Sequence, residues 1–91
     1  MESIHLEVRG RVQGVGFRWF VVDKAQELDL AGWVRNKSDG HLEIAAAGQR
    51  DALAKLESAV KAGPRGARVE EVRTLPPIAT DSLRAPFEIV R

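Results

Sequence analysis

The apolar residues near the start of the chain change their spacing at a glycine-rich stretch. Between residues 3 and 12, apolar and polar side chains alternate, which is typical of a strand with one buried face. From residue 17 to residue 28, apolar side chains recur every three or four positions, which indicates an amphipathic helix. The stretch between them is Gln13-Gly14-Val15-Gly16, and its glycines permit positive φ angles. The pattern predicts a strand, a tight turn and a helix.

The rest of the chain predicts a hairpin, a second helix and two further strands. Asp39-Gly40 is a strong hairpin signal between two runs of strand-forming residues. Val69 and Val72 fall out of phase with the alternation around them, so we expect a bulge there. The predicted strands are 30–36, 41–47, 67–75 and 87–90, the second helix is 50–61, and residues 78–85 form a loop.

The main elements follow the order β-α-β-β-α-β. This order is that of an α+β, ferredoxin-like split βαβ sandwich, in which an antiparallel sheet carries two helices on one face. A chain of 91 residues has the length of one such domain, so we expect residues 1–91 to form a single domain. The fold alone does not identify a function, because unrelated binding modules share it.

Composition excludes several classes of protein. The chain has no cysteine, so it has neither a disulfide framework nor a thiolate metal site. Its net charge of +1 gives no general attraction to nucleic acid or to a membrane surface. No apolar run approaches the length that spans a membrane, and the first residues do not resemble a signal peptide. We therefore expect a cytoplasmic protein.

The glycine-rich turn has the chemistry of an anion site. No proline interrupts residues 8–18, so every backbone amide there can donate a hydrogen bond. Successive amides that lead into a helix N-terminus form a nest for anions, and the helix dipole adds to its attraction. Arg18 supplies a planar fork of donors that suits a phosphate. From these residues alone, a tight turn with a solvated arginine remains an equally good interpretation.

Two longer motifs resemble signatures of the acylphosphatase family. The run from Val8 to Arg18, with the sequence VRGRVQGVGFR, matches the first signature at every position. The second signature is a Gly-aromatic-small-basic-Asn run followed by spaced glycines, and the chain has it from Gly32 to Gly48, including GWVRN. One position departs from the pattern, because Leu42 stands where the family usually has valine. This exchange keeps an apolar strand residue.

The resemblance implies an activity and the residues that perform it. It implies a hydrolase that cleaves the carboxyl-phosphate bond of acyl phosphates, releasing a carboxylate and inorganic phosphate. A water attacks directly in line, without a metal, a cofactor or a covalent intermediate. The turn forms the phosphate-binding loop, Arg18 binds the phosphoryl group, and Asn36 orients the water. The loop amides in question are those of Gln13, Gly14, Val15, Gly16 and Phe17.

The partner implied by the resemblance is a small-molecule acyl phosphate, and the family's members are usually monomers. Taken alone, Asn36 is better explained as a residue that begins a turn and bonds its own backbone, and only the two signatures together favour the catalytic interpretation. The alternative function is a non-catalytic phosphate- or nucleic-acid-binding module of the same fold. A related alternative is an acylphosphatase-like domain that serves a larger maturation enzyme.

The remaining polar side chains carry weaker expectations. His5 and His41 lie on polar positions of strands, so we expect both to be exposed, and neither has a second histidine or cysteine at metal-ligand spacing. The basic side chains around the turn are expected to add positive charge that steers anionic substrates. These side chains belong to Arg9, Arg11, Arg35 and Lys37.

Overall fold

The computed structural model describes residues 1–91 and contains five strands and two α-helices. In chain order they are β1 (Glu2–Arg11), α1 (Phe17–Glu27), β2 (Ala31–Asn36), β3 (Leu42–Gly48), α2 (Arg50–Ala62), β4 (Arg68–Thr74) and β5 (Glu88–Ile89). A single turn of 3-10 helix, Thr80–Ser82, lies in the connection before β5. Every predicted element is present with ends within one residue of the prediction. Neither α-helix has the length and apolar character needed to cross a membrane.

The strands form one sheet in the order β4-β1-β3-β2-β5. The first four strands pair antiparallel, as predicted. The fifth pairs parallel to β2, with Trp33 opposite Glu88 and Val34 opposite Ile89, so the sheet as a whole is mixed. The reason is that β4 and β5 occupy opposite edges, and the chain between them crosses the sheet before it reaches β2.

Both helices pack on one face of the sheet, as the ferredoxin-like order predicts. The side chains that point to this face form the main core. Its largest fully buried members are Phe17 of α1, Leu56 of α2, Phe87 before β5, and the sheet residues Leu6, Leu42 and Ile44. Burial of such a side chain contributes about 1.5–3 kcal/mol, so this layer fixes where α1 begins relative to the sheet.

The bulge predicted in β4 is present beside Gly10. Gly10 pairs with Val69 and Arg9 pairs with Glu71, so Glu70 is the extra residue. Gly10 has φ 128°, and a Cβ atom at this position would lie 2.1 Å from the Arg68 carbonyl oxygen. The close approach of the two backbones therefore requires glycine.

The antiparallel pairing with β3 places the C-terminal ends of β1 and β2 at the same end of the sheet. Val8 of β1 and Asn36 of β2 are both partners of Leu42, the first residue of β3. The glycine-rich turn follows β1 by one residue, and Asn36 is the last residue of β2. The last residue of β2 and the turn after β1 therefore lie on either side of the start of β3.

The other face of the sheet carries two buried carboxylates on neighbouring strands. Glu7 and Glu43 are direct cross-strand partners, an arrangement that destabilises a sheet unless the charges are compensated. Lys37 Nζ lies 2.5 Å from one Glu7 oxygen, and Arg9 Nε donates to the other at 2.9 Å. The hydrogen bonds from Lys37 and Arg9 lower the pKa of Glu7 from 4.5 to about 2.

Glu43 is compensated by a second pair of side chains, the His5 ring and the Arg35 guanidinium. Its oxygens contact His5 Nε2 at 2.5 Å and Arg35 Nε at 2.6 Å. Burial raises the pKa of Glu43, but the hydrogen bonds from His5 and Arg35 outweigh burial and lower the pKa overall. The edge of the His5 ring also packs against Trp33, with the ring centroids 6.2 Å apart.

Two sequence-based expectations fail on this face. The histidines are not exposed, because the side chains of His5 and His41 are only 14% and 24% accessible to solvent. His5 of β1 contacts Glu43 and the carbonyl oxygen of Pro76 after β4. His41, just before β3, lies beside Glu7 and Asp39. Arg9, Arg35 and Lys37 do not offer free charge to a substrate, since each is paired with Glu7 or Glu43.

The first prediction concerns the acid stability of this ion-pair network. The unfolded chain takes up a proton on Glu7 near pH 4.5, whereas the folded chain does so only near pH 2. Protons therefore favour unfolding between these values, and the contribution of Glu7 to stability is lost as the pH falls from about 5 to 2. We expect Glu7→Gln to lower the free energy of unfolding at pH 7 and to flatten its decline below pH 5.

Urea unfolding at pH steps from 7 to 2.5 measures both effects. Glu70→Gln is the matched control, because Glu70 is exposed in the bulge and should change neither quantity. Parallel pH curves for the wild type and Glu7→Gln would contradict the assigned role of Glu7.

Candidate active site

The loop between β1 and α1 has the backbone conformation of an anion nest. Gly14 and Gly16 have φ angles of 73° and 77°, whereas Gln13, Val15 and Phe17 have negative φ. This alternation turns successive N–H groups toward a common side of the loop. No backbone amide from residue 13 to residue 18 donates a hydrogen bond to another backbone group. The loop therefore presents a series of free donors.

Helix α1 adds positive potential at the same place. Gly16 is its N-cap, no side chain caps the helix, and its first turn contains no acidic residue. The positive end of the helix dipole is therefore not compensated by the protein. Arg18, the second residue of the helix, makes no ion pair, unlike Arg9 and Arg35. A guanidinium at a helix N-terminus opposes the helix dipole, and a bound anion would compensate both.

A small pocket joins this loop to the end of β2. It has a volume of about 160 Å³ and is lined by Val12, Gly14, Gly16, Phe17, Arg18, Trp19 and Asn36. The space above the loop glycines is open, since a Cβ atom built on Gly14 or Gly16 would meet no other atom within 4 Å. A larger groove of about 510 Å³ at the far end of α1 contains neither Arg18 nor Asn36. The small pocket is therefore the candidate active site.

Asn36 contributes an unusual polar atom to the pocket. Its side-chain oxygen is buried and has no hydrogen-bond partner in the protein. A buried acceptor without a donor costs about 1–3 kcal/mol, so a bound water or ligand that donates to it would stabilise this side chain. The turn after Asn36 is closed by other groups, with Gly40 N donating to Lys37 O and His41 N to Asp39 Oδ1.

Five of the seven predicted site residues line the pocket, and Gln13 and Val15 do not. The Val15 side chain packs against the main core. The Gln13 side-chain amide donates to Lys37 O at 2.8 Å and to His41 O at 2.9 Å. It therefore ties the loop to the turn that follows Asn36. No local pattern indicates these contacts, because Gln13 lies 24 residues from Lys37 and 28 residues from His41 along the chain.

The site prediction omitted two lining residues, the buried Val12 and the exposed Trp19, and Trp19 is the one that offers surface to a ligand. The only indication in the sequence was its position beside Arg18 in the first turn of the helix. Its side chain is 65% exposed, although tryptophan is usually well buried. Trp19 therefore combines a large apolar surface with a position at the mouth of the pocket.

One group of side chains outside the pocket has the composition of a metal site. Atoms of Glu7, Asp39 and His41 lie within 4.8 Å of one another. Lys37 Nζ, however, is 2.5 Å from Glu7 and 3.5 Å from Asp39. The cation that these carboxylates contact is the lysine ammonium, so we interpret the group as part of the ion-pair network.

Comparison with known proteins identifies the family. The family model described as acylphosphatase matches residues 4–89. A protein of Koribacter versatilis (strain Ellin345) named acylphosphatase is 57% identical over 65 residues, which cover 71% of this chain and 59% of that protein. The crystal structure of acylphosphatase from Bacillus subtilis is 40% identical, covers all of both chains and superposes with a TM-score of 0.92.

A similar fold also occurs within a larger protein. The crystal structure of full-length HypF in its phosphate- and nucleotide-bound form is 30% identical and superposes with a TM-score of 0.87. The match covers 99% of this chain but only 12% of HypF. The family model and the relatives agree with the two sequence signatures, and the chain belongs to the acylphosphatase family of enzymes.

Proposed function

We propose that this chain hydrolyses acyl phosphates to a carboxylate and inorganic phosphate by direct, in-line attack of water. The observation that carries the proposal is one pocket that contains both Arg18 and Asn36 beside the free amides of the loop. A single domain spanning residues 1–91 performs the whole reaction. A cytoplasmic location and a monomeric state remain predictions.

The loop and Arg18 bind the phosphoryl group. Free amides from Gln13 to Phe17 supply hydrogen bonds without any change in the protein, because they have no other partner. The positive end of α1 and the unpaired Arg18 guanidinium neutralise the phosphate charge. During the reaction, charge spreads over the equatorial oxygens, and a fork of donors can follow it.

Asn36 orients the attacking water. Its side-chain oxygen accepts a hydrogen bond from the water, and its position at the end of β2 places the water beside the loop. An amide is not a base near neutral pH, so it fixes the direction of attack and does not remove a proton. Gln13 supports this geometry by holding the loop against the turn after Asn36.

The pocket lining explains why acyl phosphates suit this site. Arg18 is its only charged side chain, and the lining contains no carboxylic acid or histidine. As the water oxygen bonds to phosphorus, the bond from phosphorus to the carboxyl oxygen breaks, and the carboxylate leaves with the electron pair. The water proton passes to a phosphate oxygen. A carboxylate is a weak base, because the pKa of its conjugate acid is about 4, so it leaves without a proton donor or a metal.

The match to HypF favours a second candidate, in which the chain acts as an acylphosphatase-like part of a larger assembly. A nucleic-acid-binding module fits the residues less well. The half-buried Trp33 contacts His5 and Arg35, and the exposed Trp19 lies on a helix and not on the sheet. Stacking platforms for single strands need aromatic rings that are free on one surface.

The decisive experiment follows hydrolysis of benzoyl phosphate by the purified chain in the presence of EDTA. We expect rapid loss of the acyl phosphate, whereas the monoester p-nitrophenyl phosphate stays intact because its leaving group is a stronger base. A folded chain that binds phosphate but hydrolyses neither compound would favour the non-catalytic binding module. A rate that collapses when a single aspartate or glutamate is neutralised would reveal a general base and overturn the mechanism.

Substitution of Arg18 tests phosphoryl binding. We expect Arg18→Ala to weaken inhibition by inorganic phosphate about tenfold or more and to lower kcat as well, because a charge-assisted hydrogen bond contributes about 1.5–3 kcal/mol. Arg18→Lys should not restore activity, since an ammonium cannot form the bidentate contact. Steady-state kinetics with phosphate as a competitive inhibitor measure both effects. An active lysine variant would argue against the fork of donors.

Substitution of Asn36 separates catalysis from binding. We expect Asn36→Ala to reduce kcat on the order of 100-fold, because a water that is displaced by about 1 Å is no longer aligned for attack. The inhibition constant of inorganic phosphate should stay within a factor of about two, since the loop and Arg18 remain. If phosphate affinity falls as steeply as the rate, Asn36 is a binding residue and not a water-positioning one.

A matched pair of glycine substitutions tests the nest. Gly16 and Gly66 have φ angles of 77° and 90°, and a Cβ atom at either position meets nothing within 4 Å. Alanine should therefore cost each site a similar strain of about 1–2 kcal/mol. Only Gly16→Ala should also weaken phosphate binding, which isothermal titration calorimetry with inorganic phosphate would detect. Equal loss of phosphate affinity in both variants would show that strain alone, and not the nest, explains the effect.

A further inference from the structure

The pocket has room for a phosphoryl group and a water but leaves little space for a large acyl group. Its volume of about 160 Å³ lies below the range of about 300–1,000 Å³ that is usual for ligand pockets. The proposed reaction requires it to hold the phosphoryl group and the attacking water. A large acyl group therefore extends out of the pocket, and the surface beside the mouth of the pocket receives it.

A groove between α1 and β5 begins at this mouth. The groove has a volume of about 500 Å³, and Arg18 and Trp19 line both the groove and the pocket. It continues along Val22 of the helix and along Phe87 and Ile89 at the edge of the sheet. A ligand that lies against Arg18 in the pocket can therefore extend into the groove without leaving the protein surface.

The position of Asn36 distinguishes the pocket from the groove and bears on the direction in which the leaving group points. Asn36 lines the pocket but not the groove, whereas Arg18 lines both. In-line displacement requires the attacking water and the leaving group to lie on opposite sides of phosphorus. If Asn36 holds the water, the leaving carboxylate points away from Asn36. The groove is lined by Arg18 but not by Asn36, so it is the cavity into which the leaving group extends.

The chemistry of the groove indicates which acyl groups it takes. Trp19 presents a flat ring that is 65% exposed and Ile89 is partly exposed, whereas Val22 and Phe87 are buried. The rest of the lining is polar or charged and consists of Arg18, Gln26, Glu88 and Arg91, so the Trp19 ring is the main apolar surface. Exposed aromatic surface of this size gains free energy when an apolar group covers it, and ring-on-ring contacts add to the gain. An acetyl group is too short to reach along the groove, whereas an aromatic acyl group covers the indole ring.

On the basis of the proposed function, we infer that Trp19 and the α1–β5 groove form the acyl-group subsite and make the enzyme prefer aromatic over short acyl phosphates. Trp19 is a specificity-determining residue in this scheme, since it contacts the leaving group and not the phosphoryl group. The phosphate-binding loop then binds the phosphoryl group that all substrates share. The groove binds the acyl group and so determines how kcat/KM differs between substrates.

The test compares kcat/KM for benzoyl phosphate and for acetyl phosphate in the wild type and in Trp19→Ala. We expect the ratio of the two values to fall about tenfold in Trp19→Ala, through loss of apolar burial and of the ring contact. Trp19→Phe should restore much of the ratio because it keeps a ring. Asp23→Ala is the control, since Asp23 is exposed on the same helix and lines neither cavity.

The outcomes separate this inference from the proposed function. Hydrolysis of both substrates with an unchanged ratio in Trp19→Ala would overturn the subsite and leave the acylphosphatase activity standing. Failure of the wild type to hydrolyse either substrate would remove the proposed function and the subsite with it. A loss of inhibition by inorganic phosphate in Trp19→Ala would place Trp19 in the phosphate site and also overturn the inference.

Discussion

The antiparallel pairing of β1 and β2 with β3 is the constraint on which the site depends. Because β1 and β2 run in the same direction on either side of β3, the turn after β1 and the last residue of β2 lie at the same end of the sheet. The side chain of Gln13 then closes the gap between them with two hydrogen bonds. Residues that are more than twenty positions apart thereby line one small pocket, on elements that the main core holds rigid.

Electrostatic compensation divides the molecule into two parts. On the face of the sheet opposite the helices, hydrogen bonds from basic side chains compensate the buried carboxylates. The pKa of Glu7 is lowered to about 2 mainly by its hydrogen bonds to Lys37 and Arg9. At the N-terminus of α1 the balance is missing, since neither an acidic side chain nor an ion pair offsets the helix dipole and Arg18. An anion can supply this compensation at the loop, whereas Arg9, Arg35 and Lys37 are already neutralised.

Most of the fold was predictable because it depends on local patterns. The period of two before Gln13 and the period of about 3.6 after Gly16 gave β1 and α1, and the positive φ angles of Gly14 and Gly16 agree with the predicted turn. The parallel pairing of β5 was not predictable, because it depends on the path of the preceding segment across the sheet. Alternation also assigns a residue such as His5 to the polar face, but it cannot show that this face is covered and its charges paired.

The proposed chemistry depends on what the substrate supplies as much as on the protein. A pocket whose only charged side chain is an arginine can bind and polarise a phosphoryl group, yet it holds no carboxylic acid or histidine that could give a proton to a departing oxygen. A monoester releases an alkoxide or phenoxide, which needs such a proton or a metal, whereas an acyl phosphate releases a stable carboxylate. On this mechanism a loop, one arginine and one asparagine are enough, because the reactivity of the carboxyl-phosphate bond replaces an acid catalyst. The selectivity between phosphate compounds then arises from the leaving group, and the groove beside Trp19 can act only on substrates that already meet this requirement.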